Sequence, residues 1–307
     1  MSDIVTIPFE SIRLIDFYEK FVFPGVPVVL TGTPSPLCDS AEAARKDGAL
    51  VNWLERTFSD CQVPLVDSEG TMEIFTLSDW RNEARKRYLK DWHVFEENIS
   101  LFKPPSLFEE DWLNGFLVEN GFSDYRFLYW GDAGSETNLH EDVMKSFSWS
   151  LNLNGRKEWK FIGSDDVVQI VMQQPMDAIF VPSGMKHSVK NLDDDTISIN
   201  HNWANAANIR TIWTFIKEER RNFQHELTGF GALNIYEQGT DSIETMMKLG
   251  SGMTIRNLAG LIQWGLHLNS SSTSSLKENR LWQEALKDAQ QILNEIMSDA
   301  ELCRLTE

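Results

Sequence analysis

Ser146–Leu153 alternates small polar with large apolar residues one for one, and after Asn154-Gly155 the strand-like run resumes over Arg156–Ile162. Successive side chains on a strand point to opposite faces, so a period of two marks extended chain. Asn-Gly is the strongest two-residue hairpin signature. A tight hairpin there fixes the register, with Leu153 opposite Arg156, Asn152 opposite Lys157 and Ser150 opposite Trp159. The predicted core is therefore antiparallel β.

One face then carries Ser146, Ser148, Ser150, Asn152, Lys157, Trp159 and Phe161. The other carries Phe147, Trp149, Leu151, Leu153 and Ile162, with Arg156, Glu158 and Lys160 near solvent. The serine-rich face is either a solvated surface or the small-residue wall of a cavity. Trp159 and Phe161 favour the cavity. Lys157 inside it would be a fixed cation that needs a carboxylate partner, because an unpaired buried charge is costly.

Just upstream stands His140-Glu141-Asp142, and His187 follows in Gly184-Met185-Lys186-His187. On a strand, His140 and Asp142 share a face and can grip one ion, with His187 closing the set from another strand. Two histidines and a carboxylate, with positions left open, form the ligand set of a non-haem Fe(II) site. The same residues could instead be ordinary hydrogen-bonded histidines. An iron site beside a buried cation suits 2-oxoglutarate, whose keto-acid end chelates iron while its far carboxylate takes a lysine and a hydroxyl. Thr137 could supply the hydroxyl. Strict alternation puts Thr137 on the face opposite His140, so the chain must bend between them.

Around this centre the chain divides into three. Residues 1–95 read as an α/β segment supporting a barrel, with a strand at Pro27–Leu30, a helix from a cap at Asp47 to about Phe58, and a second from Thr76–Asp79 to near Arg87. Residues 96–209 hold further strands at Arg126–Tyr129, Ala178–Pro182, His187–Leu192 and Thr196–Trp203. Residues 210–307 switch to helical periodicity, with candidates at Arg210–His225, Ile255–His267 and Leu276–Leu305, and a polar linker at Ser270–Ser275.

The net charge of −18, from 46 acidic against 28 basic residues, disfavours nucleic acid as the main partner. It suits a neutral or basic protein substrate, or simply aids solubility. Cys38, Cys61 and Cys303 form no closely spaced pair, so neither a zinc ribbon nor a disulfide framework is expected. No signal-peptide pattern and no run long enough to span a bilayer are read. The expected compartment is the cytoplasm, with the nucleus as an addition.

Residues 126–208 resemble the JmjC-domain 2-oxoglutarate oxygenases. The match runs through Gly134-Ser135, Thr137, His140 and Asp142, then Gly155-Arg156-Lys157 and Trp159, then Val181-Pro182-Ser183-Gly184, His187, Val189 and Asn191-Leu192. Ser146–Ser150, Thr196–Trp203, Phe23–Leu30 and Tyr88–His93 resemble one subgroup, extending the likeness over roughly residues 5–215. The resemblance implies a double-stranded β-helix, a cupin-like barrel, mainly β with flanking helices and a C-terminal helical region. It implies His140, Asp142 and His187 as iron ligands, Thr137 and Lys157 at the far carboxylate, and Tyr88 and Asn202 as cosubstrate contacts, with O2 as second cosubstrate. Ser148 stands where some relatives carry asparagine, which puts that cosubstrate contact in doubt. Met185 stands where an aromatic residue is common.

The subgroup implies lysyl hydroxylation of the eukaryotic peptide-chain release factor, in its Asn-Ile-Lys-Ser loop. Other protein or tRNA substrates, and a non-catalytic binding module, are the alternatives. The stripe Leu281, Trp282, Ala285, Ala289, Ile292, Ile296 and Met297 either packs on the barrel or supports a homodimer. His93, His201, His225 and His267 read as structural or surface residues.

Overall fold

Thirteen strands fall into two sheets in the computed structural model, which describes residues 4–67, 69–83, 87–97, 103–163, 168–229, 235–299 and 302–303. The strands are β1 (Val5–Pro8), β2 (Val28–Thr31), β3 (Gln62–Val66), β4 (Met72–Thr76), β5 (Tyr88–Trp92), β6 (Arg126–Gly131) and β7 (Glu136–His140), then β8 (Phe147–Asn154), β9 (Lys157–Ile162), β10 (Val168–Gln173), β11 (Ala178–Val181), β12 (Lys186–Asn191) and β13 (Thr196–Trp203). The larger sheet has the order β1-β2-β11-β8-β13-β6-β5-β3-β4, and the smaller β10-β9-β12-β7. From β6 onward the chain crosses between sheets at every step except β9 to β10. That alternation is the double-stranded β-helix, and the N-terminal strands widen its larger sheet.

The Asn154-Gly155 hairpin does not form. β8 pairs with β11 and β13, while β9 pairs with β10 and β12. Both edges of β8 are therefore taken by distant strands and those of β9 by β10 and the distant β12, and the turn becomes a corner between sheets. Asn154 Nδ2 donates to Asp195 O at 2.7 Å, tying the corner to the loop before β13. The true hairpin is β9–β10, with Ile162 opposite Val168, and β10 was not anticipated. The predicted faces survive the wrong pairing. Ser146, Ser148, Ser150, Asn152, Lys157, Trp159 and Phe161 are all buried, and Phe147, Trp149, Leu151 and Leu153 lie in the main core. Side-chain alternation depends only on each strand's own pleat, so it holds whichever strand is the neighbour.

Helices cover the outer face of the larger sheet: α1 (Leu14–Phe17), α2 (Asp39–Lys46), α3 (Leu50–Phe58), α4 (Leu77–Glu83), α5 (Val94–Glu97), α6 (Trp112–Glu119), α7 (Ile209–Gly229), α8 (Ile235–Ser251), α9 (Ile255–Ser271) and α10 (Arg280–Ser298). Asp47 does not cap α3. It ends α2, and Gly48, at φ +69°, breaks the chain before α3 starts after Ala49. Thr76 does cap α4, accepting from Asp79 N at 3.1 Å. The expected end of this helix near Arg87 runs through residues 84–86, outside the described residues. Thr254 and Asn279 cap α9 and α10. α8 was not anticipated, and residues 300–301 and 304–305 of the expected last helix lie outside the described residues. Along α10, Trp282, Ala289, Ile292 and Ile296 are buried, with α7 and α9 as the packing partners, while Met297 is exposed. The buried part of the stripe is thus covered by α7 and α9, where the barrel was expected. No helix among the described residues is long and apolar enough to cross a membrane.

Candidate metal and cosubstrate site

β7 ends at His140, so Asp142 lies just past the strand, in extended conformation before a turn held by Met144 and Lys145 at φ +56° each. The two ligands do not share a strand face in the simple way expected. β12 pairs His187 with His140 but Val189 with Thr137, which leaves one extra residue on β7. This bulge is the bend that sets Thr137 and His140 on one side.

Ligand atoms of His140, Asp142 and His187 lie within 4.8 Å of one another, and the two imidazole centroids are 4.3 Å apart. His140 Nδ1 lies 2.8 Å from Asn138 O, and His187 Nδ1 lies 3.0 Å from Met185 O. Each Nδ1–H therefore donates to a carbonyl, which leaves the Nε2 lone pair free to bind an ion. Burial first, opposed by the nearby Asp142, holds the His187 pKa below its usual value and keeps the ring neutral. Trp159 stacks on His187 with centroids 5.5 Å apart and fixes the ring plane. Asp142 is oriented at both oxygens: Ser148 Oγ donates to Oδ2 at 2.7 Å and Asn202 Nδ2 to Oδ1 at 2.9 Å. The structure thus places Ser148 and Asn202 on the carboxylate ligand.

Lys157 extends from β9 into the same interior and is fully buried. Its Nζ donates to Ser198 Oγ, and Asn200 Nδ2 donates to the same oxygen at 2.9 Å. The carboxylate partner expected for it is missing: among the described residues none lies within 4.0 Å. Burial alone lowers its pKa from 10.5 to about 7. Tyr88 and Thr137 are both buried, and burial pushes the Tyr88 phenol well up. Tyr88 packs edge-on against Tyr129, whose ring centroid lies 6.0 Å from Lys157 Nζ. Deeper along the wall, the Ser150 hydroxyl and the Asn152 side-chain oxygen are buried without a partner. Such orphaned donors and acceptors, on the interior face that also carries a cation without a counter-charge among the described residues, suit a polar anion. Tyr129, Ser198 and Asn200 were missed, although Ser198, Asn200 and Asn202 alternate with Ile197 and Ile199 as visibly as the serine run does.

Met185 packs on the small cluster of Val29, Trp159, Phe161, Ile179 and Val181 and walls the site beneath His187. Of the remaining histidines, His201 lies 2.8 Å from Asp111 Oδ2 and 2.9 Å from Asn114 Nδ2, a structural pairing. His225 and His267 are exposed. His93, Glu96 and Asp124 also cluster, but Arg126 already engages Asp124.

No protein-family model matches the chain. Among curated proteins it is similar to the 2-oxoglutarate and iron-dependent oxygenase JMJD4 of Mus musculus, 36% identical over 69% of this chain and 63% of the relative. The Homo sapiens JMJD4 is 31% identical, over 69% of this chain and 64% of its own. The arginine-specific demethylase JMJ20 of Arabidopsis thaliana is 34% identical over 55% of this chain and 48% of the relative. The chain spans a little under two thirds of the length of these two JMJD4 proteins. The fold, the His140/Asp142/His187 cluster and these likenesses agree: the chain resembles the JmjC-domain 2-oxoglutarate oxygenases, its JMJD4 members in particular.

Proposed function

We propose that this chain is an Fe(II)- and 2-oxoglutarate-dependent oxygenase that hydroxylates a lysine of a protein, with the eukaryotic peptide-chain release factor as substrate. One observation carries the oxygenase reading. Three oriented ligands that leave coordination positions open share a cavity with a buried lysine that lacks a counter-charge. An ion held by His140, Asp142 and His187 would activate O2 at the expense of 2-oxoglutarate, so that one oxygen atom enters a substrate C–H bond. The chain's own part is to hold and exclude. Lys157 and Thr137 would bind the far carboxylate, Tyr88 would close over it, and Trp159 and Phe161 would keep bulk water from the ligand rings.

The lysine and the release factor come from the subgroup likeness, and the net acidity suits a lysine-bearing target. This reading puts the protein in the cytosol, where translation terminates. A high-resolution peptide mass spectrum tests it, taken after the release factor is incubated with the protein, Fe(II), 2-oxoglutarate and O2. We expect one added oxygen on the lysine of the Asn-Ile-Lys-Ser loop, absent with His140→Ala. An unmodified loop would sink the substrate assignment. The likeness to JMJ20 favours a second reading, arginine demethylation, which would show as methyl loss from a methylarginine peptide under the same conditions.

A further inference from the structure

β5 contains an irregularity that no part of the proposed metal or cosubstrate site uses. Its ladder with β6 pairs Leu89 with Trp130 and then Trp92 with Leu128, so three steps on β5 span two on β6. Leu89 and Trp92 both lie in the main core, under the helices. The two residues between them, Lys90 and Asp91, therefore both project to the barrel interior. Asp91 sits at φ +60°, an uncommon backbone for a residue with a side chain. A bulge that re-aims a side chain beside a functional site is a recurrent device, and strain of this kind is a pointer to a role.

The re-aimed carboxylate is half satisfied. Asp91 Oδ1 accepts from Tyr129 Oη, and among the described residues its other oxygen has no hydrogen bond and no cation within 4.0 Å. Lys90 does not pair with it. Its Nζ lies 5.8 Å from the Tyr129 ring centroid, and its charge is felt at His187. Asp91 is only half-buried, so the residue keeps some contact with solvent. A strained, half-buried carboxylate without a counter-ion, on the wall of the reaction chamber, is a receptor for a cation.

We infer that Asp91, held by Tyr129, is the residue that selects a cationic side chain in the substrate, an ammonium or a guanidinium. The inference rests on the oxygenase reading and names the specificity element of that site.

Fluorescence anisotropy of three labelled peptides tests it: one carrying Asn-Ile-Lys-Ser, one with arginine at the lysine position and one with norleucine there. Wild type should bind a cationic peptide about tenfold more tightly than the norleucine peptide. The lysine and arginine peptides tell which cation is preferred. Asp91→Asn keeps the backbone preference and the acceptor for Tyr129 while removing the charge, and should abolish the difference. Tyr129→Phe should keep most of it. The inference is overturned if Asp91→Asn still discriminates, or if wild type does not. It is also overturned if the two variants lose 2-oxoglutarate affinity alike, since Asp91 would then serve only to position Tyr129. A wild type that binds neither metal nor 2-oxoglutarate would fail the oxygenase reading itself, a separate result.

Discussion

Ser148 lies six residues beyond Asp142, yet its hydroxyl reaches back across the turn to within 2.7 Å of Asp142 Oδ2. With Asn202 on the other oxygen, it fixes the carboxylate plane before any ion arrives. Partners that orient a metal ligand typically control affinity by about 10- to 100-fold. Ser148→Ala should therefore weaken Fe(II) or Mn(II) binding by about tenfold while leaving the fold intact. Asn202→Ala should do at least as much, since Asn202 also reaches Ser146 Oγ at 3.1 Å. Equilibrium dialysis reads both, and unchanged affinity in the pair would remove their orienting role.

Metal binding should also be visible as stability. An ion that binds only the folded state contributes about 2.7 kcal/mol at a hundred times its dissociation constant. Mn(II) should raise the melting temperature of wild type and leave His140→Ala unmoved. A shift that persists in His140→Ala would place the ion elsewhere, for instance at His93, Glu96 and Asp124.

Lys157 gives a pH dependence with a definite sign. Burial lowers its pKa from 10.5 to about 7, so between these values the unfolded chain holds a proton that the folded one has released. The ligand-free protein should therefore gain stability as pH rises through this window, because the unfolded state binds more protons. Cosubstrate binding should run the other way. A carboxylate at Nζ favours the ammonium, so 2-oxoglutarate affinity should fall by about tenfold per pH unit above 7. Titration calorimetry at several pH values reads the trend, and a flat profile would separate Lys157 from the cosubstrate. Lys157→Met should lose cosubstrate binding yet stabilise the ligand-free protein by about 1–2 kcal/mol, since it removes a buried charge without a partner.

What the sequence disclosed and what it hid follow from the range of the forces involved. The alternation of Ser146–Ile162 told which side chains face inward, because the pleat is local. It misled on pairing, because β8 is claimed on both edges by β11 and β13, and β9 by β10 and the distant β12, and the Asn-Gly turn energy is small beside these ladders. The ligand residues were visible by type, and Thr137 and His140 on opposite faces under strict alternation demanded the bend that β7 makes, but the place of Asp142 off the strand was not visible, since no glycine marks it. Lys90 and Asp91 were invisible as an inward pair for the same reason. A bulge is set by register against β6, and nothing in Tyr88-Leu89-Lys90-Asp91-Trp92 departs from a plain strand.

The helical layer offers a test of packing away from the site. α6 and α9 interlock through two reciprocal pairs, Gly115 under Trp264 and Gly265 under Trp112, and a methyl group on either glycine would lie 2.1 Å from the facing indole. Alanine is favoured over glycine in a helix by roughly 1 kcal/mol, so only the clash can make these substitutions harmful. Trp112 is buried, at 2% exposure, with no room to retreat, whereas Trp264 is partly exposed and can swing outward. Gly265→Ala should therefore destabilise by at least about 2 kcal/mol, and Gly115→Ala by clearly less. Urea unfolding ranks the two. The reverse order, or two neutral variants, would mean that the helices part more easily than their interlocked rings imply.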